Sequence, residues 1–280
     1  MKVSIVGATG VLGRNVVPRL LERGHEVTAV VRKPEQVRGL QRVGVQAIAG
    51  DVLVPSSLAP AMRGCDCVLH LATAIPKDRA GGDWSVNDRI RREGTENLLR
   101  VSAENGVRRY IQQSITMLYG DCGQDIVDEL APPHPSPNIQ SAFDMEEQVR
   151  ASEFEWCILR GGYFYGPSTG MEDGWRDAAR RGTLRIPANS NARISLIHIV
   201  DMAYSVVLSA EIAPPRSVYN VVDDHPATYA ELYAYVARQV QAPDPERSTA
   251  GMLSLGCSNL KIKAELGWRA AFPTFRSGLA

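Results

Sequence analysis

The 280-residue sequence lacks net charge, because 31 lysines and arginines balance 31 aspartates and glutamates. This balance offers no basic stripe for nucleic acid and no polybasic patch for a membrane surface. Apolar runs near the roughly 20 residues that a membrane helix needs are also missing. Met1 and Lys2 lead directly into a short apolar run, which leaves no room for a signal peptide. We therefore expect a cytoplasmic protein with a small-molecule substrate, binding neither nucleic acid nor membrane.

Cysteine is scarce and follows no metal-ligand spacing. The chain has five cysteines, an odd number. Cys65 and Cys67 flank an aspartate where a strand is predicted to begin, a position typical of buried thiols. The sequence accordingly predicts no metal site.

Glycine, in contrast, is concentrated near the amino terminus, in the stretch Gly7-Ala8-Thr9-Gly10-Val11-Leu12-Gly13. An apolar run precedes this stretch and an amphipathic segment follows it, which predicts a strand, a tight turn and a helix. Three glycines at this spacing let the backbone approach a pyrophosphate, and the helix amino terminus offers it free N–H groups. The alternative is an ordinary glycine-rich turn. The flanking pattern favours dinucleotide binding, with six candidate residues: Gly7, Thr9, Gly10, Val11, Leu12 and Gly13.

Strand and helix patterns alternate along the first 160 residues. The predicted strands are 3–6, 27–31, 45–49, 67–71, 110–113 and 156–159. Such alternation predicts an α/β fold with a Rossmann-type doubly wound parallel sheet. A helix is predicted from about 84 to 105, and the pattern loosens after Gly161. We expect a dinucleotide-binding domain of residues 1–160 plus about 191–222, and a smaller, mainly carboxyl-terminal substrate lobe of about 161–190 and 223–280.

Several later segments resemble one protein family when they are taken in order with the glycine stretch. They are Gly50-Asp51, His70 to Thr73, Gly94 to Leu99, Leu118 to Gly120, Leu159-Arg160, Tyr165 to Pro167, Ile197 to Asp201, Val218 to Val221 and Leu266 to Trp268. Together they resemble the extended or atypical short-chain dehydrogenase/reductase superfamily, in its NAD(P)-dependent epimerase/dehydratase group.

This resemblance implies roles for individual residues. Cofactor contacts are expected from Asp51, Val52, Leu71, Ala72, Thr73 and Tyr163, and substrate contacts from Asn138, Tyr165 and Arg193. A plain surface role for Arg193 is the alternative. Members of the family often form dimers through helices that correspond here to about 84–105 and 140–150, so a homodimer is an open expectation.

The charge at the end of the second predicted strand indicates which dinucleotide is bound. Enzymes that use NAD place an acid there to bind the ribose 2′-hydroxyl, whereas a 2′-phosphate requires a cation. This chain has Arg32 and Lys33 at that point. A guanidinium suits a phosphate in charge and geometry. The pair predicts NADP(H) in preference to NAD(H), a solvated pair of loop charges being the alternative.

The usual catalytic residues of the family are absent. Its Tyr-x-x-x-Lys motif falls on Asn138 and Ala142, and no tyrosine occurs between Tyr119 and Tyr163. The usual serine or threonine position falls on Ile115, and the usual helix asparagine on Arg91. An amide and a methyl group cannot perform the proton transfer of tyrosine and lysine.

Other groups could take over the proton transfer. Ser114 and Thr116 carry hydroxyls at the end of the fifth predicted strand, and Tyr119 follows them. These three are the candidate catalytic residues. Glu146 lies one helical turn after Ala142, where it could act as an acid or base or pair with a nearby arginine.

Three functions remain open at this point. The first is an NADP(H)-binding oxidoreductase or epimerase/dehydratase-like enzyme that acts on a small carbonyl or hydroxyl compound with non-standard proton donors. The second is a catalytically degenerate NADP(H)-binding sensor or regulatory protein. The third is a non-redox lyase or cyclase that uses the same cleft.

Overall fold

The computed structural model describes residues 1–76, 78 and 81–280. Its strands are β1 (Lys2–Val6), β2 (Glu26–Val31), β3 (Gln46–Ala49), β4 (Cys67–His70), β5 (Arg109–Ile115), β6 (Ile126–Val127), β7 (Glu155–Gly161), β8 (Tyr163–Tyr165), β9 (Arg193–Ile194), β10 (Leu196–His198), β11 (Ser217–Val221), β12 (Ala227–Thr228) and β13 (Gly256–Cys257). Its α-helices are α1 (Val11–Glu22), α2 (Pro34–Gln41), α3 (Ala59–Met62), α4 (Ser85–Arg89), α5 (Thr95–Glu104), α6 (Gln140–Arg150), α7 (Met171–Arg180), α8 (Ile199–Ile212), α9 (Tyr229–Gln239), α10 (Leu260–Leu266) and α11 (Phe275–Leu279).

Seven strands form one parallel sheet in the order β11-β7-β5-β4-β1-β2-β3. β1 pairs with β2 on one side and with β4 on the other. The chain thus builds outwards from β1 to β3, returns, and continues on the opposite side from β4. This order is the doubly wound arrangement predicted from the sequence, and it places a topological switch point between β1 and β4. Ligands of such sheets bind at the carboxyl ends of the strands beside that point.

The chain divides into two compact units. Unit 1 comprises Met1–Ser114, Pro137–Leu159 and Ala203–Val218, and unit 2 comprises Ile115–Ser136, Arg160–Met202 and Tyr219–Ala280. The division into lobes inferred from the sequence has other boundaries and stays a prediction.

Unit 1 is held together by apolar side chains that its strands and helices bury in alternation. Val6, Val30, Leu98 and Tyr110 belong to one cluster, and each is at most 5% exposed. Full burial of one such side chain contributes roughly 1.5–3 kcal/mol. The sheet therefore provides a rigid base for the loops at its carboxyl edge.

Unit 2 contains three two-stranded pairings. β8 and β10 are parallel, β9 and β12 are antiparallel, and β6 and β13 are parallel. Its core includes the fully buried Tyr165 and Leu232. Helix α9 begins with a capping box, in which Thr228 and Glu231 satisfy each other's backbone N–H groups. No helix in the described part of the chain is long and apolar enough to cross a membrane.

The helix predicted from about 84 to 105 is interrupted in the structure. α4 and α5 are joined by a π-helical segment, Ile90–Gly94. Such a segment inserts an extra residue into a turn and often marks a functional site. Periodicity over 22 residues cannot reveal the insertion, because the apolar positions on either side of it still face the sheet.

Candidate functional site

The glycine turn lies at the switch point between β1 and β4. Gly7 directly follows β1 and has φ +95°, a backbone conformation that favours glycine. A Cβ at this position would stand 2.6 Å from the carbonyl carbon of Leu71 and 2.7 Å from the nitrogen of Ala72. The turn therefore packs closely on the loop that follows β4, and this loop contains the cofactor candidates Leu71, Ala72 and Thr73.

The other two glycines shape the start of α1. A Cβ on Gly13 would fall on the backbone of Gly7 and Ala8, so a larger residue cannot be accommodated. Gly10 precedes the helix and supplies no side-chain cap, and Thr9 beside it is partly buried. The N–H groups of the first turn, from Val11 to Gly13, consequently have no acceptor within the helix. The arrangement fits a pyrophosphate, since it combines free donors with the positive end of the helix dipole.

Arg32 and Lys33 follow β2 at the same edge of the sheet. Both side chains are exposed, and neither has an ion-pair partner among the residues that the structure describes. The extended backbone of Lys33 precedes α2. Two unpaired cations at this place are available to an anionic group.

The adenine-side candidates follow β3. One carboxylate oxygen of Asp51 accepts a hydrogen bond from the N–H of Leu53 at 2.9 Å, which fixes the turn. Val52 is buried, and its carbonyl accepts a hydrogen bond from Asn97 of α5 at 2.9 Å. The loop that follows β3 is thereby tied to α5.

Ser114, a catalytic candidate, is engaged with α6. Its hydroxyl donates to Glu146 at 2.6 Å, and Arg150 donates to the other oxygen of that carboxylate at 3.3 Å. Glu146 is only 1% exposed. Of the two roles that the sequence left open for Glu146, the pairing with an arginine is present in the contact with Arg150. The role as an acid or base stays a prediction.

Thr116 and Tyr119 lie in unit 2, in the 3₁₀ turn Thr116–Tyr119. The Tyr119 hydroxyl donates to Asn220 at 2.8 Å, and the guanidinium of Arg160 lies 4.8 Å from the ring centroid. Burial is the main cause that raises the pKa of Tyr119 above its ordinary value of 10.0, so this phenol is a weak acid. Thr116 is 1% exposed, and its hydroxyl oxygen has no partner in the described structure.

The substrate-side candidates belong to both units. Asn138 lies in unit 1, in a short 3₁₀ turn before α6, and is exposed. In unit 2, the Tyr165 hydroxyl donates to the carbonyl of Thr274 at 3.3 Å, and Arg193 donates to the carbonyl of Pro226 at 3.1 Å. Tyr163, a cofactor candidate, packs against the apolar cluster of the same unit.

Arg91 forms a polar network in unit 1. Its guanidinium donates to the hydroxyl of Ser141 at 3.2 Å, and that hydroxyl donates to Asp88 at 2.6 Å. Arg91 is 8% exposed, and burial lowers its pKa while Asp88 partly opposes the shift. Sequence reasoning identified Arg91 as a departure from the family pattern, but its hydrogen-bond partner Ser141 lies 50 residues away.

Asn87 was not identified from the sequence. It lies in α4, is fully buried, and accepts a hydrogen bond from the N–H of Ala74 at 3.1 Å. The signal was its spacing: Asn87 falls three residues from both Trp84 and Ile90, on the apolar stripe of the predicted helix. A polar residue on the apolar stripe of a helix is a candidate for a binding site.

Comparison with known proteins gives consistent results. The model of a family described as NAD(P)H-binding matches residues 7–193. Over 304 aligned positions the chain is 29% identical to a 3-diazoavenalumate denitrifying reductase from a Streptomyces species, with 100% of this chain and 99% of that protein covered. It is 25% identical to a 4-hydroxy-2-methyl-3-oxo-4-farnesyl-3,4-dihydroquinoline-1-oxide ketoreductase from Stigmatella aurantiaca, with 99% and 84% covered.

Solved structures with the same fold include a dehydratase and an epimerase. A dTDP-glucose 4,6-dehydratase from Streptomyces venezuelae with NAD bound has a TM-score of 0.86 at 22% identity, with 100% of this chain and 95% of that chain covered. A UDP-glucose 4-epimerase from Thermus thermophilus in complex with NAD has a TM-score of 0.81 at 23% identity, with 100% and 96% covered. The fold expected from the motifs is thus confirmed.

Proposed function

Because the chain belongs to the NAD(P)H-binding family whose model it matches over residues 7–193, we propose that it is an NADPH-dependent oxidoreductase acting on a small carbonyl or hydroxyl compound. The observation that carries the choice of NADPH is the pair of exposed cations, Arg32 and Lys33, beside the glycine turn. The likeness to two reductases over nearly the whole chain supports reduction as the reaction.

The residues of unit 1 would hold the cofactor through backbone groups and two cations. The first turn of α1, which begins at Val11, would receive the pyrophosphate. Asp51 and Val52 would border the adenine, and Leu71 to Thr73 would line the other side of the crevice. Arg32 and Lys33 would bind the 2′-phosphate.

The nicotinamide supplies the hydride when the cofactor is bound. The protein must then hold the carbonyl group and provide a hydrogen-bond donor to its oxygen, which would take up a proton from solvent after the hydride is added. We assign this donor role to Thr116, whose buried hydroxyl has no partner in the described structure. Ser114 and Tyr119 already donate to Glu146 and Asn220, so their proposed contribution is to position the turn.

Cofactor titration tests the proposal directly. Dissociation constants of NADPH and NADH are measured by fluorescence for the wild type and for Arg32→Ala, Lys33→Ala and Arg42→Ala. Loss of a charge-assisted contact to phosphate costs about 1–2 kcal/mol at an exposed site, which is about 5- to 30-fold in affinity. We expect this loss for NADPH with the first two variants and an unchanged affinity for NADH.

Arg42 is the matched control, because it is an exposed arginine at the far end of α2. Its replacement should leave both dissociation constants unchanged. Equal binding of NADPH and NADH by the wild type would refute the cofactor assignment. An equal loss of NADPH affinity in all three variants would show that only the overall positive charge matters, not Arg32 and Lys33.

A sensor without turnover is the second candidate. It is favoured by one observation: the hydroxyls of Ser114 and Tyr119 are both engaged inside the protein. Oxidation of NADPH, followed at 340 nm with a panel of ketones and enones, distinguishes the two functions. Turnover that falls at least tenfold with Thr116→Val supports the enzyme, and tight NADPH binding without turnover on any substrate supports the sensor.

A further inference from the structure

Two hydrogen-bond donors lie on one face of the helix that follows β4. Asn87 is in α4, and Arg91 is four residues further on, in the π-helical segment. Residues at this spacing are neighbours on a helix surface. Asn87 is 0% exposed and Arg91 is 8% exposed. Both positions belong to unit 1, and the hydrogen bond from the Ala74 N–H to Asn87 ties this helix to the loop that follows β4.

The orientation of the Asn87 amide is determined by its neighbour. Its Oδ1 accepts from the N–H of Ala74, so the reversed orientation would set two donors against each other. Nδ2 is therefore the amide atom that does not face Ala74. It is buried and has no hydrogen-bond partner in the described structure. A buried donor without an acceptor costs about 1–3 kcal/mol. A ligand with an acceptor oxygen would remove this cost.

Arg91 has a similar deficit. Its one hydrogen bond in the described structure goes to the neutral hydroxyl of Ser141, and no described carboxylate forms an ion pair with it. Asp88 acts on it through space, and the Ser141 hydroxyl donates to one oxygen of that carboxylate. A guanidinium has five N–H donors. Most of the hydrogen-bonding capacity of this buried cation is consequently available to an anion.

We propose that Asn87 and Arg91 together bind a carboxylate group of the substrate. The inference rests on the proposed function, since it assigns a chemical class to the substrate of that enzyme. A carboxylate has two acceptor oxygens in one plane, which suits a guanidinium edge and an adjacent amide N–H. In the proposed function the phosphates of the cofactor would have separate partners at α1 and at Arg32, which would leave the Asn87–Arg91 pair for a second anionic group.

The experiment compares benzoate with its neutral isostere benzamide. Calorimetric titrations are made with and without saturating NADP⁺, on the wild type, Arg91→Gln, Asn87→Asp and Arg92→Gln. Asn87→Asp keeps the oxygen that accepts from Ala74 but replaces the free donor with a negative charge. Arg92 is the matched control, because it is the adjacent arginine and pairs with Asp144 at 2.6 Å.

We expect benzoate to bind the wild type at least tenfold more tightly than benzamide. Arg91→Gln and Asn87→Asp should each weaken benzoate at least tenfold without weakening benzamide, and Arg92→Gln should stay within twofold of the wild type. Thermal melts identify a variant that fails to fold, and the other variant then carries the test. Two results would each overturn the proposal. In the first, the wild type binds benzoate no more tightly than benzamide; in the second, both site variants bind benzoate as tightly as the wild type does.

NADPH titration separates this inference from the proposed function. If the wild type binds no NADPH, the proposed function fails, while the titrations without cofactor still report on the carboxylate site. If Arg91→Gln weakens NADPH as much as it weakens benzoate, Arg91 belongs to the cofactor site and the carboxylate assignment is wrong.

Discussion

Replacing Asp223 with asparagine should stabilise the protein increasingly as the pH rises. Asp223 follows β11 and is 1% exposed. One of its carboxylate oxygens accepts from the N–H of His225 at 3.2 Å, and the other has no partner in the described structure. Burial, aided by the nearby Asp224 and Asp201, raises the pKa of Asp223 from 3.8 to about 8. The folded protein thus keeps a proton that the unfolded chain releases.

The sign and size of the effect follow from proton linkage. Below pH 3.8 the carboxyl is protonated in both states and has no pH-dependent effect. Between that value and about 8 the unfolded chain is ionised while Asp223 in the folded protein is not. The free energy of unfolding therefore falls by about 1.4 kcal/mol per pH unit, and the loss reaches about 4 kcal/mol at pH 7. Asparagine resembles the protonated carboxyl in shape and does not titrate, so Asp223→Asn should abolish this loss.

Urea unfolding at pH 6.0, 6.5, 7.0 and 7.5 measures the difference between variant and wild type. The stabilisation by Asp223→Asn should increase by about 2 kcal/mol over this range. Asp244→Asn is the control, because this aspartate is exposed and is not among the charges that act on Asp223; its replacement should give no stabilisation that grows with pH. A constant difference for Asp223→Asn at all four pH values would refute the reasoning.

Three further predictions concern unit 1. Gly13→Ala should lower NADPH affinity at least tenfold, because its Cβ has no room, whereas Gly39→Ala, with nothing within 4 Å, should keep the affinity and add up to about 1 kcal/mol of stability; equal affinities would contradict the packing argument. Glu146→Gln should cost about 1–3 kcal/mol in urea unfolding, because it weakens the buried contact with Ser114, and an unchanged midpoint would oppose this. Burial lowers the pKa of His70 from 6.5 to about 4, so its contribution to stability is lost as the pH falls from 6.5 to 4, by about 1.4 kcal/mol per unit; His70→Gln should lack this slope.

Much of the sheet could be predicted because its strands are local apolar runs. The strand predicted at 45–49 is observed as Gln46–Ala49, and the one at 156–159 as Glu155–Gly161. The short pairings of unit 2 could not be predicted in the same way. β6 and β13 have two residues each and pair across more than 120 positions. A two-residue strand has no periodicity, and its partner is selected by tertiary packing alone.

Sequence predicts the backbone features of the site better than the roles of its side chains. Backbone sites follow from sequence, because the glycine turn depends on local conformation and Gly7 has the positive φ that such a turn requires. The roles of side chains depend on distant partners. Tyr119 was a candidate proton donor, yet its hydroxyl donates to Asn220, 101 residues away. No local pattern shows whether a hydroxyl is free or engaged.

Two departures from the family pattern, Arg91 and Ala142, are explained together by electrostatics. Arg91 bonds to Ser141, so its cation lies beside the start of α6, and Ala142 is the next residue and is fully buried. A lysine at position 142 would place a second buried cation close by. Two buried charges of the same sign repel, and burying the ammonium group adds a further cost. A small, uncharged residue at position 142 is therefore compatible with the buried cation of Arg91 on the neighbouring helix.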